Sequence, residues 1–189
     1  MKFTVIPAAS LFLALATGAI DPNFQPCMPS ARTDAYNTFL HRHVHSVPPE
    51  RDEMDAWTAF LKNNNFCNRP VQSFFPYDDM RRVVDVCART GGKIHLRNLC
   101  ISKGNFSFIT LTVQNETCAI KRIERESKHI ILACEEIKNT CQPVHYQKNP
   151  ENYAPKDSAP DCPGAASHSA IRAAKTLVFL LVFLCPALL

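Results

Sequence analysis

Two isolated histidines, His43 and His145, are the residues of this chain best suited to acid–base chemistry. Histidine titrates close to neutral pH, so a pair of imidazoles can supply one proton acceptor and one proton donor at pH 7. Opposite protonation states of two such groups give a bell-shaped dependence of rate on pH. The residue types therefore predict a reaction that moves protons.

His43 also belongs to the alternating series His41, His43 and His45. On a strand these imidazoles would share one face and could bind a metal ion, whereas on a helix they point in different directions. No carboxylate or cysteine completes a site beside them in the sequence. We expect no metal site and no cofactor here.

Cysteine content narrows the class of protein. The 189 residues include nine cysteines and no Cys-x-x-Cys pair, a combination typical of secreted domains held by disulfides. A hydrophobic content of 46% excludes a disordered chain, and a count of five glycines excludes a collagen. The sequence predicts a small disulfide-bonded domain.

The N-terminus has the pattern of an export signal. Lys2 precedes an apolar run to residue 15 and small residues up to Ala19, which predicts a signal peptide over 1–19, with cleavage after Ala16 as the alternative. Asn105 and Asn115 each begin an Asn-x-Ser/Thr triplet and are candidate glycosylation sites.

The C-terminus predicts a glycolipid (GPI) anchor. Residues 176–189 are apolar but shorter than the roughly 20 residues that a transmembrane helix needs. A polar spacer and a small triplet starting at Gly164 precede them, so we expect attachment at Gly164 and removal of 167–189. A short tail anchor and a tail that stays attached are the alternatives. Residues 149–166, rich in Pro, Asp and Asn, predict a stalk.

Hydrophobic periodicity supplies the elements that must position these groups in a domain over 20–148. Apolar residues at steps of three and four predict three helices, over 30–43, 52–62 and from 78 or 79 to 91. Alternation with period two predicts four strands, over 106–112, 118–123, 129–134 and 143–146. Helices followed by strands indicate an α+β fold with an antiparallel sheet.

Charge is unevenly distributed along the domain. Residues 81–148 contain 12 basic and 6 acidic residues, a net charge of 12 − 6 = +6, which favours contact with a polyanion. Among these basic residues we take Lys121 as the candidate for contact with substrate phosphates.

Four motifs in order resemble the pancreatic-type ribonucleases and angiogenins. They are FLHRH at 39–43, Cys67 followed by RPVQSF at 69–74, KHIILACE at 128–135 and PVHY at 143–146. The resemblance covers 32–147 and implies three helices on a bent antiparallel sheet. It also implies cleavage of single-stranded RNA through a 2′,3′-cyclic phosphate after pyrimidines, with His43 as the base and His145 as the acid.

The chain departs from the family where a catalytic lysine is expected. Alignment on Cys67 places Asn68 there, whereas alignment on the following strand places Arg69 there with one inserted residue. We prefer Arg69, and expect Asn68 to turn away, because strand register decides which side chains face a cleft. The resemblance further implies substrate contacts from a group of neighbouring positions, namely Arg42, Gln72, Ser73 and Tyr146.

The resemblance also implies two disulfides, Cys67–Cys118 and Cys87–Cys134. In that family another disulfide joins the second helix to the sheet, but residues 52–62 of this chain contain no cysteine. Four cysteines then remain in the domain, which allows three pairings. We expect Cys27–Cys100 and Cys141–Cys162.

Together these features predict a secreted or cell-surface endoribonuclease that acts as a monomer. The alternative is a catalytically weak relative that binds anionic cell-surface ligands or serves host defence. The expected partners are single-stranded RNA and, through the lipid anchor, the outer face of the plasma membrane.

Overall fold

The computed structural model describes residues 25–46, 48–49, 53–114 and 117–164. Within them lie the helices α1 Ala35–His43, α2 Met54–Asn63 and α3 Met80–Asp85. The strands are β1 Met28–Pro29, β2 Val44–His45, β3 Val71–Pro76, β4 Gly92–Ile94, β5 Leu99–Ser102, β6 Phe106–Gln114, β7 Ala119–Lys128, β8 Ile131–Ile137 and β9 Thr140–Gln147. The predicted signal peptide, Asn115 and residues 165–189 lie outside the described residues.

The strands form two sheets. One contains β4, β5, β8 and β9 in antiparallel pairs, with β1 added in parallel to β8. The other contains β3, β6 and β7 in antiparallel pairs, with β2 added in parallel to β3. This confirms the predicted α+β class, although the strands are divided between two sheets and the added pairs are parallel.

The first helix is shorter than the sequence predicts. α1 begins at Ala35 rather than just after Ser30. The residues before it pair with β8 as β1, and the Ser30 hydroxyl bonds the Glu135 carboxylate on β8 instead of capping a helix. Tertiary pairing has therefore overridden the local capping signal.

Two hydrophobic clusters hold the elements together. The first packs Phe39 of α1 with Phe75 and Leu132 from the two sheets. The second packs Trp57 of α2 with other residues of the β3–β6 sheet, including Phe74 at a ring-centroid distance of 5.6 Å. Full burial of such a side chain contributes about 1.5–3 kcal/mol. Aromatic packing thus joins α2 to the sheet. In the family that the chain resembles, a disulfide makes this connection.

The disulfides agree with the expectation in part. The structure joins Cys67 to Cys118 and Cys87 to Cys134, as the resemblance implies. The remaining expectation, Cys27–Cys100 and Cys141–Cys162, is wrong. The pairs present are Cys27–Cys141 and Cys100–Cys162.

Strand pairing explains the corrected disulfides. The Cys27 amide donates to the carbonyl of Cys134 over 2.7 Å, because β1 runs along β8 and brings Cys27 beside β9. Cys162 instead lies next to β4, where its amide donates to Gly92 over 3.0 Å, within reach of Cys100 on β5.

The segment 149–164, predicted as a stalk, packs on the domain. Asn149 is buried, and its side-chain amide donates to the carbonyls of His129 and Tyr153. Further along, Asp161 pairs with Lys93 as an isolated β-bridge and forms a salt bridge with Lys103 of 2.7 Å. The folded unit therefore extends at least to Gly164.

Candidate modification sites lie at the surface or at the end of this segment. Asn105 is exposed at the turn before β6. Gly164 has a φ of +77°, and its amide donates to the carbonyl of Cys87 over 3.2 Å. Among the described residues, no helix has the length and apolar character needed to cross a membrane.

Candidate active site

His43 lies at the junction of α1 and β2, where the helix directs its imidazole against β3. The side chain is buried, and Nδ1 donates to the carbonyl oxygen of Ser73 over 2.9 Å. Because a carbonyl only accepts, this bond assigns the proton to Nδ1 and leaves Nε2 with its lone pair. Burial lowers the pKa of His43 to about 4, so the imidazole is neutral at pH 7 and can accept a proton.

His145 lies on β9 opposite Ala133 of β8, and it is an exposed residue. Partial burial of its ring, and then the charges of Arg69 and Arg42, lower its pKa. His145 makes a small contribution to the lowered pKa of His43, and the ring of the adjoining Tyr146 lies 5.7 Å from that of His43. The fold therefore brings the two predicted histidines into one site.

Tyr146 of β9 packs against α1 and β3. Its ring centroid lies 5.7 Å from that of His43 and 5.4 Å from that of Phe75. Burial, with a smaller effect of the nearby Glu126 carboxylate, raises the pKa of Tyr146 to about 12, so the phenol stays protonated. Its packing fixes one wall of the site.

Arg69 lies in the turn before β3 and faces Arg42 of α1. Partial burial, and then repulsion by Arg42, lower the pKa of Arg69, although arginine stays charged at neutral pH. Both guanidinium groups line a cavity of about 590 Å³, which we name the arginine cavity. Its other lining residues are Asn37, Thr38, His41, Asn63, Asn64, Asn65, Phe66 and Asn68.

One expectation about this turn needs correction and another stays a prediction. Asn68 lines the arginine cavity with Arg69, and its turning away from the two histidines stays a prediction. Gln72 is buried, and its amide nitrogen donates to the carbonyl of Phe66 over 2.6 Å and to that of Arg69 over 3.4 Å. Because neighbouring strand residues face opposite sides, Gln72 points away from the side of Ser73 and holds the turn that carries Arg69.

A second cavity, of about 220 Å³, lies along β3 and β6. We name it the hydroxyl cavity after Ser73, Thr110, Thr112 and Tyr146, which line it together with Val71, Glu124, Glu126, Lys128, Lys148, Asn149 and Pro150. Ser73 thus contributes its carbonyl to His43 and its side chain to this cavity. The structure does not bring Lys121 to either cavity; it is exposed near the start of β7.

Thr110 and Glu126 line the hydroxyl cavity but are not among the site residues predicted from the sequence. The signal available was the period-two alternation of β6, which places Thr110 and Thr112 on one face. The contribution of Glu126 depends on the register of β7 against β6, which the sequence pattern does not define.

The clustered sulfur atoms elsewhere in the domain do not form a metal site. Those of Cys87, Cys134 and Cys141 lie within 4.8 Å of one another, but each belongs to a disulfide. A disulfide sulfur lacks the thiolate that binds metal ions.

The chain matches no protein-family model and no curated protein. Among solved structures, it is similar to the ribonuclease from green turtle egg white, with a TM-score of 0.50 and 19% sequence identity. The match covers 60% of this chain and 97% of that chain, so the likeness spans nearly the whole turtle domain. The chain therefore has a ribonuclease A-like fold.

Proposed function

We propose that this protein is an endoribonuclease that cleaves single-stranded RNA by transphosphorylation, without a cofactor. The observation that carries the proposal is the pairing of a neutral, buried His43, whose Nε2 keeps its lone pair, with His145 in one charged site. The ribonuclease-like fold and the two arginines, whose charges lower the pKa of both histidines, support the same reaction.

In the first step, His43 Nε2 removes the proton of the ribose 2′-hydroxyl, and the 2′-oxygen attacks the adjacent phosphorus. The bond from phosphorus to the 5′-oxygen breaks, and His145 donates a proton to that oxygen. The products are a 2′,3′-cyclic phosphate and a free 5′-hydroxyl. Each proton transfer supplies a factor of about 10²–10⁴ in rate.

Arg69 is the cation proposed to stabilise the negative charge that accumulates on the phosphoryl oxygens. A guanidinium presents a planar set of N–H donors to a phosphate, unlike the compact ammonium of lysine. Arg42 lies close enough to lower the pKa of Arg69 and forms the second cation of the site. We propose that both arginines contact the substrate phosphate.

The direct test is cleavage of single-stranded RNA by protein purified from cells that express the full chain. We expect a 2′,3′-cyclic phosphate product, no cleavage of the matching DNA, which lacks the 2′-hydroxyl, and loss of cleavage in His145→Ala. A folded parent protein that binds RNA without cleaving it would exclude the enzyme and favour a binding protein.

We also propose that the chain follows the secretory pathway and carries a GPI anchor on the outer face of the plasma membrane. Four disulfides support an oxidising compartment, and the small triplet at Gly164 with its apolar tail supports the anchor. Phosphatidylinositol-specific phospholipase C should release the protein from cells. Retention under conditions that release a known anchored protein would indicate a tail that stays in the membrane.

A further inference from the structure

A third cavity, of about 450 Å³, lies where α2 meets the sheet of β3, β6 and β7. We name it the indole cavity after Trp57 of α2, which forms part of its wall. It adjoins the hydroxyl cavity through Glu126 and shares no lining residue with the arginine cavity. The proposed cleavage of RNA uses none of its other residues.

The indole cavity has an aromatic inner end and an exposed mouth. Trp57, Phe74 and Phe108 are buried, and the ring centroids of Trp57 and Phe74 lie 5.6 Å apart. Pro76 and Ser127 are exposed and line the same cavity. Sites for small molecules have volumes of about 300–1,000 Å³, with mostly apolar walls and few polar groups. The indole cavity therefore has the size and the lining of such a site.

Trp57 carries a hydrogen-bond donor that the chain does not satisfy. The residue is fully buried, and its Nε1 is the one buried side-chain nitrogen or oxygen without a partner among the residues that the structure describes. An indole N–H can only donate, and a buried donor without an acceptor is unfavourable. Because buried polar groups are nearly always paired, this donor indicates an acceptor from outside the chain.

The charges of the lining determine the charge of the ligand. Arg125 and Glu126 contribute one positive and one negative group to the wall, and Glu126 also forms a salt bridge of 2.6 Å with Lys128. The wall is therefore neutral overall. A carboxylate or phosphate would be repelled by Glu126 and an ammonium by Arg125, so the acceptor for the indole is an uncharged oxygen.

We propose that the indole cavity binds a neutral molecule with a flat apolar ring and a carbonyl oxygen, and that this oxygen accepts the hydrogen bond of Trp57 Nε1. The rings of Phe74 and Phe108 would pack against the apolar part of the ligand. This inference goes beyond the proposed function, because no step of RNA cleavage requires the ligand.

Two probe molecules test the hydrogen bond directly. 1-Indanone and indane share one two-ring skeleton and differ only in a carbonyl that replaces a CH₂ group. Trp57 is the only tryptophan of the chain, so its indole N–H gives a single assignable signal in the NMR spectrum of ¹⁵N-labelled protein. We expect 1-indanone to move this signal downfield, and indane to move it much less. The Kd from the amide shifts of the cavity residues should be at least about threefold lower for 1-indanone.

Two variants isolate the donor. Trp57→Phe keeps an aromatic ring but removes the N–H, so 1-indanone should lose its advantage over indane. Ser127→Ala removes a hydroxyl donor at the mouth and should keep the preference of the parent. Amide spectra check that both variants are folded, and if Trp57→Phe does not fold, the indole signal of the parent decides. Binding of neither probe, equal movement of the indole signal with both, an unchanged preference in folded Trp57→Phe or a lost one in Ser127→Ala would overturn the inference.

Discussion

The arginine cavity and the hydroxyl cavity differ in size and in charge. The arginine cavity, of about 590 Å³, contains two guanidinium groups among asparagines. The hydroxyl cavity, of about 220 Å³, contains two carboxylates, of Glu124 and Glu126, and two ammonium groups, of Lys128 and Lys148. Positive charge is therefore in excess only in the arginine cavity, and we expect a substrate phosphate to bind beside Arg69 rather than in the hydroxyl cavity.

The largest expected effect comes from His43, which lines neither cavity but bonds the carbonyl of Ser73. His43→Ala removes the proposed base, so kcat/KM for RNA should fall by about 10²–10⁴-fold. The control is His41→Ala, which removes an exposed imidazole of the arginine cavity and should change kcat/KM by less than about threefold. Equal losses in both variants would mean that charge in the arginine cavity, rather than proton transfer, limits the rate.

The burial of His43 should also appear in the pH dependence of stability. Its pKa is about 4 in the folded protein and 6.5 in the unfolded chain, so the unfolded state binds more protons between these values. The free energy of unfolding should therefore decrease as the pH falls from 6.5 to 4, with a contribution from His43 of about 3 kcal/mol. Urea denaturation of the parent and of His43→Gln at several pH values measures it.

The matched variant makes that measurement specific. His43→Gln retains an N–H donor for the Ser73 carbonyl but does not titrate, so its stability should depend less on pH than that of the parent. Identical slopes for the two proteins would contradict the assignment of the lowered pKa to His43.

A smaller effect is expected at the arginine cavity. Arg69→Ala should lower kcat/KM by more than about tenfold, equivalent to about 1.4 kcal/mol of transition-state stabilisation. Asn68→Ala lines the same cavity without a charge and should lower it much less. Arg69→Lys keeps a positive charge at this position and should retain most of the activity. If Arg69→Ala cleaves RNA as fast as the parent, Arg42 supplies the essential cation.

The smallest expected effect is a shift of the pH profile. Arg42 helps to lower the pKa of His145, so Arg42→Gln should raise that pKa and move the alkaline limb of kcat/KM to higher pH, by less than about one unit. Lys121→Gln removes an exposed charge outside both cavities and should leave the limb in place. A shift of the same size in both variants would indicate a general effect of net charge.

Features with strong local patterns were predictable from the sequence. The apolar stripe of α1 and the alternation in β6 indicate where these elements lie, and the order of motifs implies Cys67–Cys118 and Cys87–Cys134. Register and short pairings were not predictable. The two residues of β1 have no periodicity, so nothing in the sequence joins Cys27 to Cys141.

The packing of the C-terminal segment was also not predictable from the sequence. Its Pro, Asp and Asn content is typical of a stalk, yet Asn149 donates to the carbonyls of His129 and Tyr153, and Cys162 fixes the segment to β5. Gln72 occupies the position implied for a substrate contact but faces the opposite side of β3. Side-chain direction depends on strand register, which composition does not report.

The disulfides also determine how a mechanical load would pass through the domain. A tension applied between residues 27 and 164 would enter through Cys27–Cys141, follow 134–141 to Cys134–Cys87, and leave through 87–100 and Cys100–Cys162. The segments that carry His43 and Arg69 lie outside this covalent route, whereas the backbone from Cys141 to Cys162, which carries His145, runs parallel to part of it. Pulling on the ends of the folded unit would therefore load the disulfide-linked framework and β9, while α1 and the turn of Arg69 bear no covalent tension.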